Sequence, residues 1–155
     1  MGMCNCMSNS AVVPNSSFES FNLASPILKN IEALGYTQAT PVQAQVIPAT
    51  LAGGDWLVSS QTGSGKTAAF LLPLLNKLFI ANPNGSPVPG RAQPKILVLC
   101  PTRELAQQVS ADAINLARGI KGLRIATIMG GMPYGKQIQA IKGASLVVAT
   151  PGRLL

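Results

Sequence analysis

Apolar positions along the chain fall first into a helical period and then into short continuous runs. Ile27, Leu28, Ile31 and Leu34 recur at helical spacing behind Ser25-Pro26, which read as N-cap and first helical residue, and Gly35 closes the run. The pattern repeats from Thr40-Pro41 through Val42, Val46, Ile47 and Leu51 to Gly53-Gly54, with Pro48 expected to kink the helix. Four apolar runs follow, at 56–59, 96–100, 124–129 and 145–149. They do not alternate, so they predict parallel strands covered on both faces. Helical patterns over 66–79, 102–118 and 133–142 separate them, which gives a β-α-β-α-β-α-β succession behind two leading helices and an α/β fold.

The segments outside this succession are polar or broken. Residues 1–17 are mostly Ser, Asn and Met with little to bury and predict a disordered leader. Residues 81–94 hold four Pro and two Gly and predict an exposed loop. The longest apolar stretch, 68–81, is interrupted by Pro73, Asn76 and Lys77 and is too short to span a bilayer. The first residues lack the basic and apolar regions of a signal peptide, so the expectation is a soluble, unanchored, cytoplasmic protein.

Composition narrows the chemistry. The chain has no His, which excludes an imidazole base, a Ser-His-Asp triad and His-ligated metals. Its three Cys, at 4, 6 and 100, have neither zinc nor disulfide spacing. Twelve Lys and Arg against five acids give a net charge of +7, which favours polyanionic partners.

The sharpest local signal follows the first predicted strand. Ser60-Gln61-Thr62-Gly63-Ser64-Gly65-Lys66-Thr67 joins a strand to a helix, where glycines let successive N–H groups face phosphate oxygens and the helix adds its positive end. Lys66 would neutralise the β and γ phosphates, and the Thr67 hydroxyl would ligate Mg²⁺. The motif departs from G-x4-G-K-[ST] only at Ser60, in place of the first Gly. A Gly-Ser turn with an exposed Lys is the bland alternative; it does not account for the strand before the loop and the helix after it.

Four further segments accompany this loop in order: 35–43 (GYTQATPVQ), 101–108 (PTRELAQQ), Gly130-Gly131, and 150–153 (TPGR). Together they resemble the Q motif and motifs I, Ia and Ib of the DEAD-box RNA helicases, from about Phe18 to the last residue. The resemblance implies a P-loop (RecA-like) parallel sheet with flanking helices, here part of the first helicase domain, and an ATP-dependent RNA helicase activity in the parent protein. It implies that Gln43 contacts the adenine edge, with Tyr36 nearby and Phe18 packing over the base, while Thr62, Gly63, Ser64, Gly65, Lys66 and Thr67 hold phosphates and Mg²⁺. It also implies that Pro101, Thr102, Arg103, Gly130, Gly131, Thr150, Gly152 and Arg153 hold the RNA sugar-phosphate backbone, without reading sequence. Ala39 stands where the family usually has Pro.

Two structural alternatives stay open. Thr40 and Gln43 have the spacing of a capping box, and Thr102 and Thr150 have the placement of ordinary N-caps. None of the predicted strands ends in Asp or Glu, the acid that holds Mg²⁺ for hydrolysis. The sequence therefore predicts nucleotide and RNA binding without turnover in these residues, the DEAD acids lying beyond a chain truncated inside its first domain. Part of the basic excess would then reflect that missing acidic segment. The competing reading is a stand-alone module that binds adenine nucleotide or RNA.

Overall fold

The structure is a computed structural model and describes residues 5–8, 16–85 and 94–154. The chain forms two compact units, Met1–Lys77 and Leu78–Leu155.

In the first unit a 3₁₀ turn, Phe18–Phe21, precedes α1 (Ser25–Ala33), α2 (Pro41–Ala52), β2 (Trp56–Ser59) and the start of α3 (Lys66–Ala81). Val42, Val46 and Ala69 form a buried cluster against Val58, and Ile27, Ile47, Leu71, Leu72 and Leu75 are fully buried. Pro26 lies in the first turn of α1 as predicted, but Ala24, not Ser25, is the N-cap. Ala24 has no side-chain cap; instead its N–H donates to Oδ1 of buried Asn76, on α3, at 2.8 Å. At the other end of α1, Gly35 takes φ +77°, and the Gly35 and Tyr36 N–H groups donate to Glu32 and Ile31 carbonyls. This is the glycine-dependent helix stop that the sequence signals. Pro48 lies inside α2 without ending it.

β2 does not pair with the other predicted strands. Its partner is β1 (Asn5–Ser8), parallel to it in the register Asn5↔Trp56 to Ser8↔Ser59. The predicted leader therefore contains a strand. Asn5-Cys6-Met7-Ser8 has no apolar run to announce it, because pairing to an edge satisfies backbone groups whatever the side chains are.

The second unit holds a three-stranded parallel sheet of order β3-β5-β4, with β3 Ile96–Leu99, β4 Ile125–Ile128 and β5 Leu146–Ala149. α4 (Arg103–Leu116) and α5 (Tyr134–Ile141) connect the strands, and the short α6 (Pro151–Leu154) follows β5. Leu99, Ala149 and Ile128 are in register, so the three strands end level with one another. Central β5 is buried at every position, and Ala126, Ile128, Ala144, Val147 and Ala149 form the core beside Ile141. The expectation of strands covered on both faces therefore holds for β5 and fails for β2 and β3. Both of those alternate half-buried with exposed residues, leaving Leu57, Leu97 and Leu99 more than half exposed.

Of the predicted loop 81–94, Ala81 ends α3, residues 82–85 turn, and residues 86–93 lie outside the described ones. Among the described residues no helix is long and apolar enough to cross a membrane.

The two units divide the charge unequally. Lys29, Lys66 and Lys77 of the first are matched by Glu19, Glu32 and Asp55, whereas the second has nine of the twelve basic residues against Glu104 and Asp112. The whole excess of +7 thus belongs to the second unit.

Candidate nucleotide and nucleic-acid sites

The loop between β2 and α3 has the shape its sequence requires. Gly63 and Gly65 take φ +78° and +86°, a region that disfavours side chains. Lys66, the first residue of α3, folds back over the loop: its Nζ donates to the Ser60 carbonyl and, at 2.6 Å, to the Gln61 carbonyl. The Ser60 hydroxyl bonds the Ser64 hydroxyl, so the residue that replaces the first glycine ties the loop across itself. Thr67 is half-buried one position further into α3.

α2 clamps this loop from behind. Thr40 is its N-cap, and the capping box is complete: Thr40 Oγ1 accepts from the Gln43 N–H at 3.3 Å, and Gln43 Oε1 accepts from the Thr40 N–H at 2.9 Å. Both side chains then reach the loop. Thr40 Oγ1 donates to the Ser64 carbonyl at 2.8 Å, and Gln43 Nε2 donates to the Gly65 carbonyl at 3.2 Å. A Cβ on Gly65 would lie 2.5 Å from Gln43 Nε2, so the glycine is required by contact as well as by φ. Gln43 is only 5% exposed.

The predicted aromatics lie in the same unit. Tyr36 stacks on Phe18 with centroids 6.5 Å apart and ring planes 28° apart, and Phe18 meets Phe21 edge-on. Phe18 is buried, while Tyr36 is 42% exposed. They line a cleft of about 450 Å³ together with Thr37, Leu28, Lys29 and Glu32; Gln43 is not among its lining residues.

The predicted RNA contacts all fall in the second unit, at the level ends of its strands. Past β3, Thr102 caps α4 by accepting from the Leu105 N–H at 3.2 Å, and Pro101, Thr102 and Arg103 are exposed. Arg103 Nη1 donates to the Gly130 carbonyl beyond β4 at 3.3 Å and lies 2.7 Å from where a Gly131 Cβ would be. Past β5 the Thr150 N–H donates to the Ile128 carbonyl, and Thr150 is buried, so its main chain is spent on the sheet while Gly152 next to Arg153 is exposed. Arg153 Nη2 donates to the Met132 carbonyl at 3.0 Å.

Three contributors escaped the sequence reading. Gln137 on α5 is buried; its Oε1 accepts from the Met129 N–H, and its Nε2 donates to the Met129 and Met132 carbonyls, so one amide fixes both ends of the Gly130-Gly131 loop. Tyr134 lies under Arg153, the guanidinium carbon 4.8 Å from the ring centroid. Asn76 holds the start of α1. Only Gln137 left a trace, a polar residue at an inward position of an amphipathic helix. Cys100, just past β3, is buried, and that burial raises its thiol pKa and keeps it a poor nucleophile.

A family model described as DEAD/DEAH box helicase matches residues 40–155, which include the loop, its clamp and all three strand ends. The chain belongs to the DEAD/DEAH box helicase family. This DEAD-box chain is 41% identical over 139 residues to the ATP-dependent RNA helicase RhlB of Xanthomonas axonopodis pv. citri, covering 89% of itself and 24% of that protein. It is 43% identical over 141 residues to the ATP-dependent RNA helicase DeaD of Escherichia coli strain K12, covering 90% of itself and 21% of that protein. The crystal structure of a DEAD box protein from the hyperthermophile Methanococcus jannaschii matches with a TM-score of 0.77 at 39% identity, over 90% of this chain and 36% of that one. A hypothetical ATP-dependent RNA helicase from Sulfolobus tokodaii matches with a TM-score of 0.72 at 39% identity, over 85% of this chain and 35% of that one. The DEAD-box chain thus spans about a quarter of the length of the curated relatives it matches.

Proposed function

We propose that this chain is the adenine-nucleotide- and RNA-backbone-holding part of an ATP-dependent RNA helicase, acting in the cytoplasm. The observation that carries the reading is the loop 60–67, with its cation turned inward on the Ser60 and Gln61 carbonyls and its backbone clamped by Thr40 and Gln43. In this reading phosphate oxygens take over Lys66 from those carbonyls and meet the N–H groups of 62–67 at the start of α3.

Mg²⁺ fits as a shared ion, not as a resident of the protein. Thr67 is one oxygen donor, and no group of three His, Cys, Asp or Glu gathers among the described residues, so these residues would share the ion with phosphate oxygens, water and any acid supplied from outside them. Bound there, the ion would neutralise phosphate charge.

Adenine is read by Gln43, with the Tyr36 and Phe18 rings, which line a separate cleft in the same unit, assigned to the base by the resemblance. After the capping box and Gly65 are served, the Gln43 amide retains one N–H and one oxygen lone pair, a donor-acceptor pair that matches an adenine edge. The strand ends of the second unit hold RNA phosphates through Thr102, Arg103, Gly130, Gly131, Thr150, Gly152 and Arg153 with Pro101 setting the turn, independent of base sequence. Turnover is absent from these residues because β2, β3, β4 and β5 end in no acid.

Titration of the chain with fluorescent ADP and GDP tests this. ADP should bind more tightly, Lys66→Ala should weaken both by about tenfold or more as one charge-assisted contact is lost, and no RNA-stimulated ATP hydrolysis should appear. Equal ADP and GDP affinities with no effect of Lys66→Ala would refute the nucleotide assignment.

A further inference from the structure

Tyr134 is the first residue of α5 and is 64% exposed, although an aromatic ring at a helix start gains little from staying in water. Arg153 covers one side of the ring at 4.8 Å from its centroid. The arginine is fixed in that pose from behind: Nη2 donates to the Met132 carbonyl, and Gln137 holds the same carbonyl from the core side. Its Nε is buried with no hydrogen-bond partner, so the protein alone does not satisfy the guanidinium. The rest of the ring is open. Met132 and, one turn along the helix, Ile138 are exposed beside it, at 40% and 43%.

Two flat groups stacked in this way are the arrangement that unpaired nucleic-acid bases extend. The alternative occupant of an exposed aromatic patch is an apolar protein surface. The charge of this unit argues against that. Arg103 and Arg153 lie at neighbouring strand ends, Lys136 is exposed on the helix, and the unit as a whole has nine basic residues against two acids.

We propose that Tyr134, stacked on Arg153, is a base-stacking residue that takes one unpaired RNA base beside the strand ends. This rests on the RNA-backbone reading and adds to it a preference for single strands, because a base inside a duplex has no free face to offer. It confers no sequence preference, since every base presents a π-face.

The test uses the whole chain and two fluorescent ten-residue probes, an oligoadenylate and an abasic ribose-phosphate oligomer of the same length. Wild type should bind the oligoadenylate at least about fivefold more tightly, the lower end of one stacked base. Tyr134→Ala should bring that ratio to about one, and Tyr134→Phe and Tyr134→Trp should keep it. A ratio unchanged by Tyr134→Ala overturns the proposal. So does an equal loss on both probes, which would mean that Tyr134 only holds Arg153 in place. Thr102→Ala reports on the backbone reading separately, because it should weaken both probes by the same factor. Failure of wild type to bind either probe would overturn both readings.

Discussion

Replacing Gln43 with Ala separates what this side chain does for the fold from what it does for a ligand. The substitution removes Oε1 from the Thr40 N–H and Nε2 from the Gly65 carbonyl, at 2.9 and 3.2 Å, and leaves the Thr40 cap on the backbone of residue 43 intact. Each lost bond is worth about 1 kcal/mol net. Gln43 is 5% exposed, so the two groups left behind are poorly placed to find water. The expected loss is therefore about 2 kcal/mol without any nucleotide present. With a urea slope of about 2 kcal/mol per molar, the midpoint falls by about 1 M. Trp56 is the chain's single Trp, lies at the start of β2 and donates its Nε1–H to the Gly53 carbonyl, so its fluorescence reports this unit directly. Gln43→Glu keeps the acceptor for Thr40 but sets a buried carboxylate oxygen against the Gly65 carbonyl, and should cost at least as much as Ala. Thr40→Ala releases the loop at Ser64, so the double variant should cost less than the sum by about 0.5 kcal/mol or more, because both side chains restrain one segment. A midpoint shift under about 0.3 M for Gln43→Ala would refute the clamp. Gln43 would then act on ligand alone.

Two further outcomes follow from the same structure. Gly65→Ala must adopt φ +86° and place its Cβ 2.5 Å from Gln43 Nε2, so it should lower stability by about 1–3 kcal/mol in urea titrations and abolish nucleotide binding, whereas Gly130→Ala, with nothing within 4 Å, should be near neutral. If Gly65→Ala bound fluorescent ADP normally, the loop would not need its glycine. Burial on α4 raises the Asp112 carboxyl above its ordinary value, so the fold penalises its charged form once pH passes that range. Asp112→Asn should therefore stabilise the chain slightly at pH 7, an effect kept small by solvent screening, and the gain should vanish in acid, where both side chains are neutral; a gain that persists at pH 3 would contradict the electrostatic cause.

What the sequence made legible was local. The phosphate loop, the Thr40 cap with its returning Gln43, the Gly35 stop and the four apolar strands each depend on neighbours a few residues away. Their boundaries in the structure fall within a few residues of the predicted ones. What it hid was set at long range. Asn76 accepts from the Ala24 N–H fifty-two positions earlier, at the start of α1, which no spacing rule can signal. β1 pairs through its backbone, and Asn5 to Ser8 would read as leader in any window. The apolar runs of β2 and β3 match that of β5, yet they have one open face, because a run records what a strand tolerates and not which neighbours it meets. Within the site, the sequence placed Gln43 against two alternatives, cap and ligand contact. The cap is made, and the amide groups left over are those that adenine would need.

The two units divide the charge unequally, and the proposed sites differ accordingly. A net +7 spread evenly would attract any polyanion weakly and at no particular place. Here the unit with the phosphate loop has no net charge. The anion site proposed there would therefore act through oriented N–H groups and one inward lysine, short-range contacts that discriminate by fit and are little affected by salt. The other unit holds the entire excess, and its strand ends bring Arg103 and Arg153 to neighbouring positions, where they bond the Gly130 and Met132 carbonyls. RNA binding proposed for these strand ends would be governed by counterion release and should fall steeply as salt rises. If the proposed sites are right, raising salt from about 50 to about 200 mM should weaken the binding of an RNA oligonucleotide by orders of magnitude while ADP binding changes little, and an equal loss for both ligands would contradict this division of charge.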